Sequence, residues 1–163
     1  MAGQWLLIVA LCLFIPMLHG GCESAVPQQD DDTQQVTIDG RKFTLELALD
    51  QASRYKGLGG RDSIAEDGGM LFVFPYAFRT HFVMRDCRVP IDIIFLDSAG
   101  RVIAMHQMEV EPPDTPEHEL KKYPSKYPTQ FVIELKGGML NELDIELGDK
   151  IELPYEALKE RAR

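Results

Sequence analysis

The sequence predicts a mainly β domain, a sandwich or partly open barrel with one short helix, and three patterns carry that prediction. Compact apolar runs recur at residues 70–74, 81–84, 91–96 and 102–105, rich in β-branched and aromatic side chains and bounded by Gly, Pro or Asp. Within residues 36–50 the apolar positions alternate. Phe43, Leu45, Leu47 and Leu49 share one parity and Thr44, Glu46 and Ala48 the other, the period of a half-buried strand. Turn signals separate the runs: Asp39 with Gly40, residues 97–100 as a hairpin connection, and Gly137 with Gly138.

The helix falls between the first strand and the first apolar run. Asp50 can cap residues 51–56, Gly57 stops them, and Gly59 with Gly60 opens a loop. Pro112, Pro113, Pro116, Pro124 and Pro128, half of the chain's ten prolines, crowd residues 109–128. No regular element is expected through them, and a long loop in a compact domain is often functional. A last strand is expected at 131–136, followed by a strand pair in 145–153 around Gly148 and Asp149. The folded domain is thus expected over residues 36–154, with 155–163 a charged tail in the form of a frayed, exposed helix.

Composition bounds the function. The chain has 163 residues, 45% of them hydrophobic, and a formal charge of -9. One globular domain fits that length, and the acidic balance argues against nucleic acid, which demands a basic face to displace counterions. Three cysteines and four histidines, widely scattered, support neither a disulfide framework nor a zinc site, so no metal and no cofactor is expected. The methionines sit mostly in or beside apolar runs, as core filling does. No phosphate-cradling glycine loop, serine elbow or His-Glu-x-x-His pattern occurs.

Residues 5–18 are apolar but shorter than the roughly 20 residues that cross a bilayer, and Pro16 interrupts them. With Gly20 and Gly21 directly before Cys22, residues 1–21 resemble a bacterial lipoprotein signal, which implies a lipid on Cys22 and a membrane-held, exported domain; secreted or periplasmic protein is the alternative. No Lys or Arg precedes the apolar run, and His19 stands where such signals usually have Leu. Residues 22–35, with Asp30, Asp31 and Asp32, read as a flexible acidic linker.

Several stretches resemble the domain of unknown function family 192. They are residues 54–58, Arg61, residues 69–74, Met84 with residues 90–95, residues 131–135, Gly137 with Gly138, and Gly148 with Asp149. The resemblance implies an often exported, jelly-roll-like sandwich and no established activity. The chain departs from the family pattern at Gly59, a usual Met, at Val83, a usual Trp, and at residues 85–87, usually Lys-Asn-Thr. A pocket lined by that Trp would be wider here.

Asp92 is the most informative polar residue, because it lies in a run apolar on both parities and must find a partner once buried. Arg54, Arg61 and Arg85 are the candidates. They either pin loop to sheet through a buried ion pair or form the polar floor of a ligand pocket. Tyr123 and Tyr127 on the proline-rich loop suit a sugar or peptide face. Cys87 is a weaker candidate, a nucleophile or redox thiol: an extended strand would hold His81 about 20 Å away, leaving His106 as a possible base and Arg85 to lower its pKa. The expected function is a monomeric, non-enzymatic, envelope-tethered module for a small molecule, glycan or partner protein. A hydrolase or redox enzyme using Cys87 or the Asp92 cluster, and a structural accessory, are the alternatives.

Overall fold

The structure is a computed structural model that describes residues 32–163; the expected leader, most of the expected linker and Cys22 lie outside those residues. Strands β1 (Thr33–Ile38) and β2 (Arg41–Ala48) are followed by helix α1 (Gln51–Lys56), then β3 (Gly68–Phe78), β4 (His81–Phe82), β5 (Ile91–Leu96), β6 (Val102–Met108), β7 (Tyr123–Pro124) and β8 (Thr129–Lys136). A 3-10 turn at Met139–Asn141 and helix α2 (Tyr155–Arg161) end the chain. The fold is mainly β, as expected. Six strands form an open sheet in the order β1-β2-β3-β8-β5-β6, and β4 pairs with β7 in a second, two-stranded sheet. All pairs are antiparallel except β2 with β3. That parallel step is possible because α1 and the following loop carry the chain back across the sheet.

Alternation along the central strands divides the core into two layers. Phe43, Leu45, Leu71, Ile94, Phe131 and Ile133 face one side, where Met139, Leu143, Ile151 and Leu158 cover them. Met70, Phe72, Ile91, Ile93, Phe95 and Val132 face the other, beneath Leu58, Ile64, Met84 and Tyr123. Strands β5 and β8 are covered on both faces, which is why their sequences are apolar on both parities.

The local signals behave as their chemistry dictates. Asp50 caps α1 by accepting from the Ser53 amide, while Ser53 Oγ accepts from the Asp50 amide, a reciprocal capping box. Gly57 ends the helix at φ 52°. Asp97 Oδ1 accepts from the amides of Ala99 and Arg101 and closes the hairpin between β5 and β6.

Four expectations need correction. Pairing starts at Thr33, inside the segment read as linker, because Thr33 to Ile38 lie antiparallel along β2 and bury Gln34, Val36 and Ile38. The run at 81–84 is a strand only as far as Phe82; a turn closed by the Cys87 amide on Met84 O follows. Residues 145–153 form no strand pair, since they wrap the β5–β6 hairpin with a single bridge between Lys150 and Arg101. The charged tail is helical, as expected, but α2 is packed rather than exposed: its Leu158 is buried and belongs to the core.

Candidate functional site: a cavity floored by Glu134

In β8 the side chains of Val132 and Glu134 point to the same face as Phe72 and Ile93. Across the sheet Glu134 lies between Met70 of β3 and Ile93 of β5, so a carboxyl group sits in an apolar layer with only 5% of its surface exposed. The Leu58 amide donates to it, yet its Oε2 has no hydrogen-bond partner among the described residues. Burial pushes this carboxyl up to about 8, against the opposing pull of Arg61 and the Leu58 amide. Few buried polar atoms in native proteins are left in this way.

The carboxyl opens onto a cavity of about 210 Å³ between α1, β3, β4 and the turn after β4. Phe72, Phe74 and Phe82 supply its aromatic walls, and Phe72 and Phe82 meet edge to face with ring centroids 5.0 Å apart. Gly57 forms one side. A Cβ there would lie 3.5 Å from the Phe72 ring and 3.8 Å from Glu134 Oε2, so the helix end stands directly against the ring and the carboxyl.

The rim carries three cations, Arg54, Lys56 and Arg85, and both arginines are engaged. Arg54 donates to the carbonyls of Val73 at 2.9 Å and Arg163 at 2.7 Å and lies over the Phe74 ring. Arg85 stacks on Tyr55 with its guanidinium carbon 4.1 Å from the ring centroid and pairs with Glu117 through both carboxylate oxygens. A second, larger cleft of about 600 Å³ lies between the 84–88 turn and the proline-rich loop, with Arg85 and Cys87 common to both.

A family model for an uncharacterized conserved family, DUF192, matches residues 34–153. The chain belongs to the DUF192 family. A solved structure from Novosphingobium aromaticivorans, a protein of unknown function, is 30% identical; the match covers 74% of this chain and 84% of that one, with a TM-score of 0.61. One from Sinorhizobium meliloti, described as a candidate transcription regulator, is 29% identical over 72% of this chain and 89% of that one, again with a TM-score of 0.61. No curated protein matches.

The DUF192 domain separates the residues that the sequence grouped. Only Arg54 and Arg85 meet at the Glu134 cavity. Asp92 shares parity with Ile94 and therefore faces the opposite layer, where its Oδ2 accepts from the amides of Gly138 at 3.0 Å and Leu140 at 2.7 Å. Backbone amides replace the expected arginine, although burial itself, at 1% exposure, is as read. Arg61 makes a bidentate pair with Glu46, both contacts 2.6 Å, beside the cavity rather than in its wall. Tyr123 is buried, its hydroxyl accepting from the Glu109 amide, and so presents no face to a sugar. Tyr127 is exposed but does not line the cavity.

Cys87 also corrects the sequence geometry. Because β4 ends at Phe82 and the chain then turns, His81 and Cys87 line one cavity instead of standing at the two ends of an extended strand. Burial first, then the Glu134 charge, pushes the thiol up to about 12, so it stays protonated and a poor nucleophile. His106 Nε2 is engaged with the Pro124 carbonyl. Val83, where the family resemblance has Trp, lines the cavity. Among the described residues no His, Cys, Asp and Glu cluster could hold a metal ion.

Sequence reasoning missed Glu134. Its signal was the one that exposed Asp92, a carboxylate in a run apolar on both parities, here residues 131–135.

Proposed function

We propose that this DUF192 domain is a non-enzymatic binding module for a small molecule, held at a cell-envelope membrane by a lipid on Cys22. The observation that carries the reading is the open cavity walled by phenylalanines and lined by Glu134, a buried carboxyl one of whose oxygens has no partner. An unsatisfied buried acceptor is worth about 1–3 kcal/mol to any ligand that satisfies it. Pockets that combine apolar walls with a few convergent polar groups are the usual form of a small-molecule site. A protonated Cys87 favours binding over thiol chemistry. The net charge of -9 weighs against carrying over a transcriptional role from the Sinorhizobium relative.

The test of binding is a small-molecule thermal-shift screen on the full chain, repeated with Val83→Trp. Ligands should stabilise the wild type and lose their effect when Trp fills the cavity. Hits that stabilise both proteins equally would place the site elsewhere. The anchor is tested by fatty-acid labelling and fractionation. Wild-type protein should carry the label and pellet with membranes, Cys22→Ala should do neither, and unlabelled wild type would sink the tether.

A further inference from the structure

We infer that the occupant of the Glu134 cavity is a small organic cation, an ammonium or amidinium group on a compact apolar body, with an N–H donated to Glu134 Oε2 and the body set against Phe72 and Phe82. The inference rests on the binding-module reading and names its ligand class.

The first support is the direction of hydrogen bonding still open. One donor, the Leu58 amide, already serves the carboxyl, and Oε2 has none. If Oε2 carried a proton, that proton would in turn need an acceptor, and Oε2 has no hydrogen-bond partner of either kind among the described residues. A ligand that brings donors answers the carboxyl in its ionised form. Arg61 is paired with Glu46, Arg85 with Glu117, and Arg54 with two carbonyls, and neither these nor Lys56 on the rim hydrogen-bonds Oε2.

The second support concerns the body of the ligand. The Phe72 ring edge and Oε2 both lie against the same face of Gly57, and Phe82 packs edge to face on Phe72. A ligand group held near Oε2 is therefore also beside aromatic rings, which suit an apolar body attached to it. Size follows from the volume: about 210 Å³ is the room of roughly seven waters at ~30 Å³ each, enough for a single ring with a short polar arm.

Benzylammonium and benzyl alcohol differ almost only in charge and separate the possibilities. Each is titrated by calorimetry at about pH 8.5, where the carboxyl is ionised and benzylammonium is still largely charged, into the full chain, into Glu134→Gln, which keeps shape but removes the negative charge, and into Val83→Trp. The expected result is that benzylammonium binds the wild type at least tenfold more tightly than the alcohol. Glu134→Gln should remove that preference, and Val83→Trp should abolish both. Equal binding of the two probes, abolished by Val83→Trp, would overturn the cation and leave the binding module standing. Retention of benzylammonium affinity in Glu134→Gln would also overturn it. Failure of both probes at millimolar concentration would overturn the cation, whereas the module would fall only if the broader screen also failed. Circular dichroism of each variant confirms that it is folded.

Discussion

Glu134 and Asp92 are both carboxylates on strands buried on two faces, and they differ in what meets them. Two backbone amides satisfy Asp92. Asp92→Ala should leave those amides without an acceptor and destabilise the domain by about 2–4 kcal/mol in urea denaturation. Combining it with Arg54→Ala should be additive, because the two lie on opposite layers; strong coupling in the double-mutant cycle would restore the ion pair. Glu134 instead is pushed up to about 8 in the folded chain and ionises near its ordinary 4.5 when unfolded. Below 4.5 both states hold the proton and the folded state suffers no loss. Between 4.5 and 8 only the unfolded chain releases it, so stability falls as pH rises, and above 8 the loss levels off. Each pH unit of that window is worth about 1.4 kcal/mol, several in total. Denaturation at pH 5 to 9 should therefore show Glu134→Gln progressively gaining on the wild type, and parallel profiles would remove the buried carboxyl from the account.

At the scale of elements, helix α1 positions the cavity because its two ends are built by local chemistry. The capping box holds the start, and Gly57 ends it at a positive φ with its hydrogen face toward Phe72 and Glu134. Gly57→Ala should cost about 1–3 kcal/mol through backbone strain and weaken any ligand of the cavity in the same titration. An alanine variant with unchanged stability and binding would show that the helix end moves freely. Asp50, Gly57 and the hairpin at residues 97–100 were legible because capping and tight turns depend on neighbours a few residues apart. The fate of residues 81–87 and 145–153 was not. Short apolar runs are compatible with strand or wrapping loop, and only available partners decide between them.

For the whole molecule, the pieces meet at one end of the sheet. The Leu47 amide donates to Asp32 O, the Arg163 amide to Leu49 O, and Arg54 to Arg163 O, so the first described residue and the last both stand beside the strand that leads into α1 and the cavity. With a lipid on Cys22, the ten chain steps from Cys22 to Asp32 would hold that end within about 35 Å of the membrane. The C-terminal helix belongs to the fold. Leu158→Ala should destabilise by about 2–4 kcal/mol, and a chain stopped after Leu153 should melt well below the full protein; equal melting temperatures would make α2 dispensable.

From the sequence alone, the mainly β class, the short capped helix, the double-sided burial of Asp92 and membership of an uncharacterised family could be read, because each rests on periodicity or on residues close in the chain. The tertiary structure alone decided which buried carboxylate meets an amide and which faces an open cavity. One residue of strand register turns a side chain to the opposite layer, and the segments that cover each layer come from distant parts of the chain.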